Sequence, residues 1–207
     1  MKKIYSLLAL GLLATYPAVE AVLLPQANVV YADDAKTVEE NNKSTKAETK
    51  WRALFDQIAV GDMMAENPEG SSLEDVKKLL GEPKESEKDD SYGIETEIMT
   101  WEKKSTTITL TFSKNKVVHK EIQGYLYNRT SKIGLKEFNA LADNLSYADA
   151  VKTLGNPDGY SEMIIDGENT KTAYWQTGIK RKNGDATIVL TFDKDILTSK
   201  TQQELKD

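Results

Sequence analysis

The chain has 207 residues, of which 27 are basic and 33 acidic, for a formal charge of −6, with a single histidine, His119, and no cysteine. That composition excludes a disulfide scaffold, a thiolate metal site and a thiol nucleophile, and it leaves one residue for any histidine-based catalytic centre. Net negative charge argues against nucleic acid as a partner, because neutralising phosphates takes a basic surface.

Lys2 and Lys3 precede an apolar run from Ile4 to Tyr16. The run is shorter than the roughly 20 apolar residues that span a bilayer, and it fits the apolar segment of a secretory signal. Small residues at cleavage spacing occur at Val19-Glu20-Ala21 and at Val30-Tyr31-Ala32. Cleavage after Ala32 is preferred, because it starts the mature chain at Asp33-Asp34 instead of leaving the sticky stretch Val22 to Tyr31 at the terminus. The expectation is an exported protein, secreted or wall-associated, with no stable membrane insertion once residues 1–32 are removed. Export without cysteine suggests a Gram-positive source. Residues 33–50 are almost wholly polar and read as a disordered tether, since they bury too little apolar area to offset their ordering entropy.

From Trp51 onward one unit is written twice. Ser72-Leu73-Glu74-Asp75-Val76-Lys77-Lys78-Leu79-Leu80-Gly81-Glu82-Pro83 aligns without a gap to Ser146-Tyr147-Ala148-Asp149-Ala150-Val151-Lys152-Thr153-Leu154-Gly155-Asn156-Pro157, and Trp101 and Trp175 keep the same offset of 74. Ile108 to Phe112 repeats at Ile188 to Phe192, and Phe55 repeats at Phe138. The extra residues of the first copy fall in Met63 to Ser71, around Asn67-Pro68-Glu69-Gly70, a loop by composition. The expected copies cover 51–130 and 131–207.

In chain order, each copy predicts a short helix (Trp51–Val60, Leu135–Asn144). A second helix starts at a capping serine, with acids in its first turn, and stops at Gly81 or Gly155 two residues before proline. Strands follow over Glu95–Glu102 and Thr170–Gly178, each carrying a tryptophan. Next come strands in which Ile108, Leu110 and Phe112, or Ile188, Leu190 and Phe192, alternate with threonines. Lys114-Asn115-Lys116 and Asp193-Lys194-Asp195 read as hairpin tips, leading into last strands Val117–Tyr125 and Ile196–Gln203. The apolar set should pack on the helices and the threonines should face away. The fold class is α+β, two tandem helix-helix-antiparallel-sheet units of three or four strands each.

A Phe-bearing first helix, a second helix ending in Leu80-Gly81-Glu82-Pro83 or Leu154-Gly155-Asn156-Pro157, a central tryptophan and a late Leu-Thr-Phe strand, all present twice, resemble the β-lactamase inhibitory protein family. The pattern is also similar to the SmpA/OmlA type of small outer-membrane lipoproteins and to an uncharacterised Gram-positive secreted family. The resemblance implies one continuous curved sheet with helices on its convex side and a concave face that grips a partner protein. It assigns partner binding to Thr107, Thr109, Thr111, Thr187, Val189, Thr191, Thr201 and Gln203. It implies a secreted, non-enzymatic binding module, an inhibitor of an extracellular enzyme. A cell-envelope assembly factor is the alternative, and a wall-directed hydrolase a further one. The partner expected is an extracellular or wall-associated protein.

His119 reads as an exposed strand residue, because a base needs a nucleophile and an orienting carboxylate around it. Glu85-Ser86-Glu87-Lys88-Asp89-Asp90 and Asp166-Gly167-Glu168 read as solvated loops, without calcium-loop spacing. Tyr92 and Tyr160 lie among small residues in expected loops and are assigned to partner contact. No catalytic residue, cofactor or metal ligand is assigned.

Overall fold

A computed structural model describes residues 46–90, 93–130, 132–182 and 185–207. The signal and cleavage readings, residues 33–45 and Tyr92 lie outside the described residues. The described residues belong to one compact unit.

The unit is α+β, an open sheet of eight antiparallel strands in chain order with helices packed on it. Helix α1 is Lys46–Phe55, α2 Leu73–Leu80, α3 Leu135–Asn139 and α4 Tyr147–Leu154. The strands are β1 Glu85–Asp89, β2 Thr96–Lys103, β3 Thr106–Ser113, β4 Lys116–Gln123, β5 Gly159–Ile165, β6 Glu168–Trp175, β7 Thr187–Asp193 and β8 Ile196–Gln203. Phe55, Val76 and Leu80, with Phe138, Ala150 and Leu154, share one core with Ile108, Leu110, Phe112, Ile188, Leu190 and Phe192. The helices therefore cover the aliphatic face. The opposite face is the open face.

Local chemistry explains the elements. Ser72 and Ser146 have the same extended backbone, φ −75° and ψ 153°, and each hydroxyl accepts from the amide N–H of Asp75 or Asp149 at 3.1 Å. Those N–H groups have no partner inside the helix, so the serine fixes where it starts. Both helices stop at a glycine with positive φ, 87° at Gly81 and 81° at Gly155. The Gly81 carbonyl accepts from Trp101 Nε1 at 3.0 Å, and the Gly155 carbonyl from Trp175 Nε1 at 2.9 Å. The tryptophans thus clamp each helix stop to the sheet. The two-residue hairpin turns at Lys114-Asn115, Asp166-Gly167 and Lys194-Asp195 each put both turn residues at positive φ, which matches the twist of the flanking strands. One register shift falls at the same place in each half, between Thr111 and Phe112 and between Thr191 and Phe192.

Several boundaries differ from the expectation. Helix α1 starts at Lys46 and not at Trp51, because Glu48 is a core residue. Its Oε1 accepts from Ser105 Oγ at 3.0 Å and Thr106 Oγ1 at 3.1 Å. Residues 46–50 therefore belong to the fold and not to a tether. Helix α3 ends at Asn139, five residues early. Glu85–Asp89 is not a loop but an edge strand, paired to β2 from Glu85–Thr100 through Asp89–Thr96. Its backbone bonds do not depend on burial, so the charged composition misleads.

Candidate functional site

Register places the hydroxyl side chains in rows on the open face. Thr100, Thr109, Glu121, Ser161, Thr172, Thr191 and Ser199 stand opposite one another on β2 through β8. At about 4.8 Å per strand the row is about 30 Å long. Beside it run Ile98, Thr111, His119, Met163, Thr170 and Asp193. On the other side Thr107 pairs with Gln123, Val189 with Thr201 and Tyr174, and Thr187 with Gln203. Thr107, Thr109, Thr111, Thr187, Val189, Thr191, Thr201 and Gln203 therefore share the open face, with Thr109 and Thr191 in one row. Thr107, Thr109, Thr187, Val189 and Thr191 are half-buried, and Thr201 and Gln203 are exposed. Thr111 is buried, because it lies beside the seam where the two halves of the sheet join.

That seam is β4 on β5, four residue pairs from His119–Met163 to Ile122–Tyr160. His119 sits on it and is buried, not an exposed strand residue. Its Nε2 lies 3.0 Å from Ser161 Oγ and its Nδ1 3.5 Å from Thr111 Oγ1, so the ring ties β3, β4 and β5 together. Burial holds the His119 pKa below its ordinary value, opposed by the nearby Glu121 carboxylate. Glu121 is buried too and accepts from Gln123 Nε2 at 2.6 Å. Burial chiefly, and Glu121 next, push the Tyr174 hydroxyl upward.

Tyr160 lies elsewhere than expected. It is not in a loop but in β5, turned toward the helices and buried. Its ring meets Phe55 edge-on at 6.3 Å and Tyr147 at 5.6 Å, and its hydroxyl donates to Glu162 Oε2 at 3.0 Å. A ring held this way has little surface to offer a partner. Burial, reinforced by Glu162 and Tyr147, drives its hydroxyl pKa well up.

Beneath the sheet lies a feature absent from the expectation. Lys120 Nζ donates to the Ile58 carbonyl at 2.7 Å and lies 3.4 Å from Glu162 Oε2. Burial lowers its pKa, and Glu162 opposes that shift. Lys200 donates in the same way to the Leu141 carbonyl at 2.6 Å. Lys120 and Lys200 keep the offset of 80 found for the flanking strands, a signal readable in the sequence. Each lysine ties a last strand to the chain just after a first helix. Three more ties cross between the halves. Arg52 Nη1 donates to the Pro157 carbonyl at 2.7 Å. The Asp62 carboxylate accepts from the Asp166 N–H at 3.0 Å and the Gly167 N–H at 2.7 Å. The buried Asp158 carboxylate accepts from the N–H groups of Tyr127, Gln176 and Thr177, from Thr177 Oγ1 and from Arg129 Nη2, all within 3.0 Å.

Hydroxyls both donate and accept, so rows of them suit a partner's backbone and polar side chains. Among the described residues no three or more His, Asp or Glu side chains gather as a metal site, and no helix is long and apolar enough to cross a membrane. The sequence reading overlooked Ser161, Thr172 and Tyr174 on the open face. The alternation of Thr170, Thr172 and Tyr174 with Lys171, Ala173 and Trp175 is the period-two signal that places them.

No curated protein matches the chain. A solved structure does: the crystal structure of a "putative beta-lactamase inhibitor protein" from Streptococcus mutans, 31% identical, with a TM-score of 0.71, covering 79% of this chain and 100% of that one. A family model described as "Domain of Unknown Function with solved-structure structure (DUF3862)" matches residues 47–205. The chain belongs to the DUF3862 family.

Proposed function

We propose that this is an exported, non-enzymatic binding protein that grips an extracellular or wall-associated protein with the open sheet face, and that it acts as an inhibitor of an extracellular enzyme. The observation that carries the reading is the row from Thr100 to Ser199, hydroxyls on six of its seven strands with Glu121 at the seam, which keeps its register from β2 to β8. The Streptococcus mutans neighbour, named as a putative inhibitor, supports the inhibitor role. Among the described residues the face offers one large aromatic, Tyr174, so its grip would rest on hydrogen bonds spread along the row more than on a few buried rings.

The same reading takes the two halves as duplicated units, 51–130 and 131–207, with the sheet concave on the open side and the helices convex. The matched caps at Ser72 and Ser146, the matched Trp101–Gly81 and Trp175–Gly155 bonds and the matched Lys120 and Lys200 clamps support it. Residues 1–32 would be the export signal, cleaved after Ala32.

Capture from culture supernatant and from cell wall tests the binding role. The expectation is a protein retained by the natural chain and lost with Thr109→Arg and Thr191→Arg together, which put two cations in mid-row. Retention of glycan instead, or of the same protein by both forms, would overturn it.

A further inference from the structure

The two edges of the sheet are built differently. The outer edge of β1 carries Glu85, Glu87, Lys88 and Asp89 among five residues, and the first four positions are exposed. Charges of that density block another strand from pairing, the usual protection of a sheet edge. Edge β8, Ile196–Gln203, has one charged residue, Lys200, and its amine is turned inward onto the Leu141 carbonyl. Ile196 is 47% exposed, the one exposed large hydrophobic residue among those described.

The chain covers both ends of this edge. At the start, the Tyr147 N–H donates to the Asp195 carbonyl and the Leu197 N–H to the Leu145 carbonyl. At the finish, the Lys182 N–H donates to the Glu204 carbonyl, and Arg181 bridges Leu205. Between them, among the described residues, Thr198 to Gln203 form an uncovered window of threonine, serine, lysine and glutamine. On an edge strand, alternate residues turn both N–H and C=O outward, so the window is a row of backbone donors and acceptors without a neighbouring strand among the described residues.

We propose that β8 is a self-association edge, on which two copies of this chain pair antiparallel about a twofold axis. A second copy fits because the window meets itself without like charges, given one register. Centring the axis on Thr201 sets Thr201 against Thr201, Ser199 against Gln203 and Lys200 against Gln202. Centring it on Lys200 would oppose two lysines, which is unfavourable. The result is a sixteen-stranded sheet with the hydroxyl rows of both copies on one face. Assembly stops at two, since the remaining edges are the charged β1 strands. A single strand pair is a small interface, so association falls at roughly 10–300 µM protein.

Sedimentation velocity of the full chain over that range, paired with cysteine crosslinking, tests this directly. The absence of native cysteine makes any introduced one the sole thiol. The natural chain should move from monomer toward dimer and no further, and Thr201→Lys should stay monomeric with an unchanged melting temperature. Under mild oxidation, Thr201→Cys should form a disulfide dimer at least ten-fold faster than Glu87→Cys on the charged edge. A monomer at every concentration, a dimer indifferent to Thr201→Lys, species larger than two, or equal crosslinking by both cysteine variants would each overturn the proposal.

Discussion

At the scale of single residues, the decisive groups are buried polar side chains at the join between the two halves. Asp158 is 1% exposed and satisfied by four N–H donors and one hydroxyl. Removing it strands those donors and leaves Arg129 without its carboxylate. Asp158→Ala should cost about 3–5 kcal/mol in denaturant unfolding, in line with breaking a buried ion pair from one side. His119 makes a different prediction. Its folded pKa lies below the ordinary 6.5, so the folded chain keeps the ring neutral while the unfolded chain takes up a proton as pH falls. Stability is complete above about pH 6.5 and declines below it, by up to about 1.4 kcal/mol per pH unit until the folded pKa is reached. Urea titrations at pH 7.5 and 5.5 should show that loss in the natural chain and not in His119→Asn.

At the scale of elements, the helices of both halves were legible because their punctuation is local. Serine, first-turn acid, glycine and proline each act through nearby backbone groups, and Ser72 to Pro83 and Ser146 to Pro157 behave as their spacing implies. Equal caps predict equal penalties: Ser72→Ala and Ser146→Ala should each lower stability by about 1 kcal/mol, additively in the double variant. Unequal losses would show that one cap is shared with other contacts. The alternating strands β3, β7 and β8 were legible for the same reason. Composition failed for β1, whose charged residues read as loop, and for β5, where Tyr160 among small residues read as a recognition loop. Both belong to their elements through pairing with a distant strand, which no local window contains. Glu48 and Asp158 were hidden similarly. Asp158 stands where the first copy has Lys84. The backbone matches, Lys84 N–H to Thr100 and Asp158 N–H to Tyr174, but among the described residues the segment around Tyr127 and Arg129 lies over the second site alone.

At the scale of the whole molecule, eight strands in chain order make one sheet whose two halves meet along four residue pairs. So short a seam is reinforced from both sides of the sheet, by His119 on the open face and by Lys120, Arg52, Asp62 and Asp158 elsewhere. The consequence is that the row begun at Thr100 on β2 continues to Ser199 on β8, one long surface in place of two short ones. The resemblance carried by the repeated motifs anticipated which threonines share this face. It did not anticipate Ser161, His119 or Glu121, which join the two sets. The most direct test is an inhibition titration against a panel of secreted hydrolases that includes β-lactamases, comparing the natural chain with Thr109→Arg plus Thr191→Arg. Inhibition of a member by the natural chain, weakened at least a hundred-fold in the double variant at unchanged melting temperature, is the predicted result. Inhibition that survives both arginines would place the contact elsewhere and contradict the account.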